Sequence, residues 1–143
     1  MGRFTPLLVA LWLAGCSSGP PRNITWTDLE KPELLKGKTV ILEGYPGVSV
    51  PATNHHKGEM GFSLMDTAAG LSSSAHQQVS VVLKAGEGPN QATVLPEGYT
   101  EKDLKVHCGV GGTAIFKDKI RVEGTLEFVY GPSIRVHKIE KLP

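Results

Sequence analysis

Lys119-Ile120-Arg121-Val122-Glu123-Gly124-Thr125-Leu126-Glu127-Phe128 alternates without a break. Ile120, Val122, Gly124, Leu126 and Phe128 fall on one side, and Lys119, Arg121, Glu123, Thr125 and Glu127 on the other. Successive side chains of a strand point to opposite faces, so this period of two predicts a half-buried antiparallel strand. Downstream, Val129-Tyr130-Gly131-Pro132 reads as a turn into a second strand over residues 133–140. There Ile134 and Val136 alternate and Ile139 shifts phase, as a bulge near a sheet end would make it do. Upstream, Val40, Leu42 and Gly44 alternate with Thr39, Ile41 and Glu43, residues 62–66 alternate likewise, and Val79, Val81 and Leu83 mark another strand.

Five strands and little helix leave a barrel or a sandwich as the ways to bury one sheet face. Five are few for a sandwich, so the expected fold is all-β, a small five-stranded, partly open antiparallel barrel with one or two short helices. Gly44 and Gly124 fall on inward positions, where glycine permits the coiling that closes a barrel. Residues 26–35 predict one helical turn, with Asp28 as cap, Pro32 early and Gly37 as stop.

The patterns Gly37-Lys38-Thr39-Val40-Ile41-Leu42-Glu43-Gly44, Phe62-Ser63-Leu64-Met65-Asp66 and Val122-Glu123-Gly124-Thr125-Leu126 resemble an OB-fold domain of the bacterial exported type, over residues 37–141. Residues 85–118 depart from a minimal OB pattern. Thr100 and Asp103 have capping-box spacing, which suits a short helix over 100–105, while residues 104–108 alternate like a strand. Both readings stand at this point.

The N-terminal segment decides location. Met1-Gly2-Arg3 precedes an apolar run over residues 4–14 that ends in Leu13-Ala14-Gly15-Cys16, after which the composition turns to Ser17-Ser18-Gly19-Pro20-Pro21. A basic start, a short apolar run and small residues before a cut make a secretory signal, too short to stay as a bilayer span. Leu-Ala-Gly-Cys resembles the lipobox of bacterial lipoproteins. The resemblance implies cleavage before Cys16, a diacylglyceride on its sulfur and a further acyl chain, such as palmitate, on its amine. Two or more chains make such an anchor stable. Ser17, where an aspartate would resemble an inner-membrane retention signal, points to the outer membrane of a Gram-negative host, with the protein facing the periplasm. The expected organisation is a signal peptide (1–15), a lipidated flexible tether (16–25) and one OB-like barrel (26–143).

Removing the leader takes away Arg3, one of 15 basic residues, and leaves the rest balanced against 14 acidic ones. That balance gives no electrostatic drive toward nucleic acid. With Cys16 lipidated, Cys108 has no partner for a disulfide and is expected to be a buried small apolar residue.

No constellation with catalytic roles stands out. Adjacent residues on a strand face opposite ways, so His107 and Cys108 cannot form a dyad, and His107 is expected to be exposed. His76 is isolated, and His137 is expected to be solvated beside Arg135. Gly109-Val110-Gly111-Gly112 lacks the lysine and hydroxyl residue of a phosphate-binding loop and reads as a turn. The OB resemblance implies a ligand surface over residues 46–60 and 129–133, with Tyr45, His55, His56, Lys57 and Tyr130 as candidates. The expectation is a non-enzymatic, lipid-anchored binding or scaffolding module of the cell envelope without a cofactor. Its partners would be the membrane, through Cys16, and another envelope protein, a peptide or an oligosaccharide. The alternative is copper or other metal handling by His55, His56 and Met60, since imidazole and thioether suit that metal.

Overall fold

A computed structural model describes residues 19–48, 58–68, 77–128 and 131–143. In chain order its strands are β1 (Arg22–Asn23), β2 (Thr39–Gly47), β3 (Glu59–Met65), β4 (Gln78–Ala85), β5 (Gln91–Ala92), β6 (Val106–His107), β7 (Thr113–Ala114), β8 (Ile120–Phe128) and β9 (Pro132–Lys141). The alternating stretch is β8. Ile120, Val122 and Leu126 are fully buried on its inner side. Phe128 breaks the pattern at 37 % exposure because it lies at the end of the strand, opposite Pro132, beyond the last packed layer.

The five long strands close into an OB-fold-like barrel. β2 pairs with β8, β8 with β9, and β3 with both β2 and β4, all antiparallel. The ring closes through a parallel pair, β4 with β9, in which Ser80 faces Ser133 and Val82 faces Arg135. The barrel is therefore closed rather than partly open. A parallel pair needs a long crossover, and the chain between β4 and β9 supplies one.

Closure depends on close backbone approach at two glycines. β2 pairs with β8 up to Gly44 and with β3 from Tyr45 onward, so the strand must bend at that handover. A Cβ on Gly44 would lie 2.5 Å from the Met65 carbonyl oxygen and 3.0 Å from the Trp26 ring. Gly124 lies at a register shift between β8 and β9. Glu123 faces Lys138 and Gly124 faces Val136, leaving His137 as the extra residue of the bulge expected from the phase of Ile139.

The core is the inner side of this ring: Val40 and Leu42, Met60, Phe62 and Leu64, Val79, Val81 and Leu83, Val122 and Leu126, Ile134 and Ile139. Apolar burial at about 25 cal/mol per Å² is the main favourable term for a barrel of this size.

The N-terminal segment belongs to the barrel earlier than the sequence suggests. β1 pairs in parallel with Val40 and Ile41, the Ile24 amide donates to the Ile41 carbonyl at 3.0 Å, and Ile24 is a core residue. Residues 22–24, expected within a tether over 16–25, therefore lie in the fold. Two 3-10 turns follow, Asp28–Glu30 and Pro32–Leu35, where the sequence predicts one turn. Asp28 lies inside the first and does not cap it; its carboxylate accepts backward from the Thr25 amide at 2.8 Å.

Both readings of residues 100–108 are realised in sequence. Thr100 and Asp103 form a reciprocal capping box on the 3-10 turn Glu101–Asp103, and β6 begins three residues later. β5, β6 and β7 extend the sheet beyond β4. The glycine turn at 109–112 docks on β9: the Gly109 amide donates to the Ile139 carbonyl at 2.8 Å and the Lys141 amide to the Val110 carbonyl at 2.9 Å. Asn90 adds an acceptor for the Ile139 amide at 2.8 Å.

Candidate ligand cleft

The N-terminal segment, laid along the outside of β2, builds a cleft. Beyond Ile24 the chain turns Trp26 onto the barrel, where its indole Nε1 donates to the Glu43 carbonyl at 3.0 Å. The ring fits over Gly44 because that residue has no Cβ. Between indole, strand and the end of β3 lies a cleft of about 360 Å³, lined by Trp26, Ile41, Glu43, Gly44, Asp66 and Lys119 together with residues 23–25.

Of the two carboxylates that line this cleft, Glu43 is ion-paired. Glu43 accepts from Arg121 Nη2 at 2.9 Å and meets Lys119 Nζ at 3.7 Å. Arg121 also reaches Glu140 at 3.4 Å, so one guanidinium ties β2, β8 and β9 along a row in which Glu43 faces Arg121 and Arg121 faces Glu140. Hydrogen bonding to Glu43 raises the Arg121 pKa above its ordinary value, ahead of the opposing effect of desolvation. Asp66 accepts from the Gln77 amide at 3.0 Å, and the Asp66 amide donates back to the Gln77 carbonyl. An aromatic wall beside an ion-paired Glu43 and an Asp66 carboxylate with no cation partner among the described residues suits a hydroxyl- or amide-rich ligand better than an anionic one.

A second polar surface lies where the OB resemblance implies ligand binding. On the outer side of β3, β4 and β9, Ser63 faces Ser80 and Ser80 faces Ser133; Ser80 is exposed, while Ser63 and Ser133 are buried. Arg135 spans this face, paired with Glu59 of β3 and Glu127 of β8. Hydrogen bonds to Glu59 raise its pKa above the ordinary value, with Glu127 adding to them against desolvation. Of the expected ligand residues, Tyr45 is half-buried on β2 opposite Met65. His55, His56, Lys57 and Tyr130 lie outside the described residues, as do Cys16 and His76. Met60 is a core side chain at 1 % exposure, packed in register with Leu83, so its thioether points into the barrel. Among the described residues, no three His, Cys, Asp or Glu side chains form a group suited to a metal ion.

Cys108 is buried as expected, and burial pushes its thiol up to about 11. His107 is not simply exposed. Its ring is half-buried, with Nε2 at 2.6 Å from the Thr93 hydroxyl and Nδ1 at 3.2 Å from that of Thr113, so both nitrogens are occupied across neighbouring strands. His137 is exposed and shares a hydrogen bond with Thr125 at 3.0 Å. Asp118 closes its turn by accepting from the Ile115 amide at 2.9 Å.

Sequence reasoning missed Trp26 and the cleft. The available signal was an isolated tryptophan between a Pro-rich segment and a strand carrying an inward glycine. Nothing local to residues 19–26 shows that they return to pair with β2.

No family model matches this chain, and no curated protein matches it. A solved structure to which it is similar is described as "a putative aspartyl-tRNA synthetase from Leishmania major Friedlin". The two share 14 % identity at a TM-score of 0.47, over 93 % of this chain and 25 % of the other. The chain thus spans a quarter of that protein's length, and a likeness this loose carries no argument about function.

Proposed function

We propose that this protein is a lipid-anchored module of the cell envelope that binds or scaffolds without catalysis, and that it takes a neutral oligosaccharide or peptide segment in the Trp26 cleft. The observation that carries the binding reading is the cleft itself: an indole locked over Gly44, beside the Glu43 carboxylate held by Arg121 and the Lys119 ammonium 3.7 Å from it. The anchor rests on Leu13-Ala14-Gly15-Cys16 and on the shift to Ser, Gly and Pro after it. On this reading the protein is a small barrel held at the periplasmic side of the outer membrane.

The chain has two tryptophans, Trp12 in the leader and Trp26 in the cleft. Once the leader is cut, the remaining emission comes from the cleft. Titrating the processed protein with neutral oligosaccharides and short peptides should shift that emission saturably, and Asp66→Asn should weaken the response. An emission unchanged by every such ligand up to millimolar concentration refutes the cleft reading. For the anchor, Cys16→Ser should abolish acyl labelling and release the protein from membranes. Retention of both refutes lipidation.

A further inference from the structure

The position of β1 constrains how an anchored barrel can stand. Six residue steps separate Cys16 from Arg22, and at about 3.3–3.6 Å per residue a fully extended segment spans roughly 20 Å. β8 spans eight residue steps, about 26 Å along the strand at 3.3 Å each, and a tilt of about 40° makes that a barrel height of about 20 Å. The tether matches the barrel height only at full stretch, and as a coil it averages about 13 Å, so the end at which the chain enters stays near the bilayer.

The register says which end that is. Arg22 faces Val40 in a parallel pair, so the residues before it run back past the start of β2. The start of β2 lies beside the end of β8, since the Gly37 amide donates to the Leu126 carbonyl at 2.8 Å and the Leu126 amide to the Lys38 carbonyl at 3.0 Å. This end carries Leu34, at 66 % the most exposed of the large apolar side chains described, together with the exposed Phe128. Lys36 and Lys38 are exposed alongside them. Glu30 and Glu33 are exposed in the same turns, so the end has mixed charge, and tether length and apolar exposure carry the argument rather than net charge. Apolar side chains flanked by lysines are suited to the headgroup boundary, where the stems pack and the ammonium groups reach phosphate.

We propose that this end of the barrel, with Leu34 and Phe128 beside Lys36 and Lys38, is a bilayer-facing surface held against the membrane by the short tether. It rests on the lipid anchor at Cys16 proposed above. The opposite end, with the exposed Glu87 after β4 and Lys117 before β8, then points away from the membrane.

The test uses the full acylated chain in vesicles of phosphatidylcholine and phosphatidylglycerol containing a brominated lipid. In a Cys108→Ala background, an environment-sensitive fluorophore is placed at Leu34→Cys, Phe128→Cys, Glu87→Cys or Lys117→Cys. Quenching should be several-fold stronger at positions 34 and 128 than at 87 and 117. Equal or reversed quenching in protein shown by mass to be acylated and vesicle-bound overturns the orientation while leaving the anchor intact. Protein that carries no acyl chain overturns both. Inserting about fifteen Gly/Ser residues after Gly19 gives a flexible coil long enough to free the barrel, and the contrast should vanish. A contrast that survives the insertion refutes the tether as its cause.

Discussion

Gly124→Ala is the sharpest test of how the barrel closes. Gly124 sits at the bulge between β8 and β9, and a Cβ there would lie 2.8 Å from the carbonyl carbon of Arg135 and 2.8 Å from Ile134 Cγ2. The carbonyl oxygen of Arg135 would be closer still. Two of these obstacles are backbone and the third is a fully buried side chain, so relief requires β8 and β9 to separate rather than a rotamer to turn. Overpacking of this kind costs about 1–3 kcal/mol. Reduced freedom of the unfolded chain returns about 0.4–1 kcal/mol. Because the clash is with strand backbone, the upper part of the range applies, and the net loss is about 2 kcal/mol. At about 3–5 °C per kcal/mol for a domain of this size, Tm should fall by about 6–10 °C. Thermal and urea unfolding followed by circular dichroism would read it, with an unchanged urea slope showing that the native state itself was destabilised. A Gly124→Ala protein melting within a degree of the parent, or above it, would refute the close approach of β9 at this bulge.

Other outcomes follow from the same geometry. Val122→Asp should prevent folding, because it forces an unpaired carboxylate into a fully buried inner position; a native circular dichroism spectrum would show that the strand phase is wrong. Trp26→Phe removes the indole donor to the Glu43 carbonyl and should cost about 1 kcal/mol in urea unfolding; no change would mean that the hydrogen bond contributes nothing net. The Cys108 thiol is raised by burial from 9.0 to about 11, so the folded state favours the neutral thiol, and the stability this contributes is present below pH 9 and lost as pH rises toward 11. Wild type should therefore lose more stability over that window than Cys108→Ala, and equal losses would contradict the burial. The same shift should slow iodoacetamide alkylation of the folded protein at pH 8 about 100-fold relative to the unfolded chain, before any steric protection is counted.

The long strands were legible because their alternation is local. β8 and β9, including the phase change at Ile139 that became the His137 bulge, could be read residue by residue. So could the burial of Cys108 and the positions of Gly44 and Gly124. The short strands β5, β6 and β7 were not legible, since two-residue pairings leave no period to count. The candidate site was least legible of all. Its wall is a tryptophan distant in sequence from the carboxylates and lysine it faces, and sequence spacing does not encode that meeting.

By itself the sequence determined the class of sheet, the inner face of each long strand, the near-balance of charge and the expectation of a leader with a lipid on Cys16. Each follows from composition or from a period of two, which are properties of neighbours along the chain. Only the tertiary structure decided that β4 and β9 close the barrel in parallel, that residues 22–24 belong to it, and that Trp26 lies over Gly44 to form a cleft. Those depend on pairings between segments far apart in sequence, which are chosen by the packing of the whole barrel.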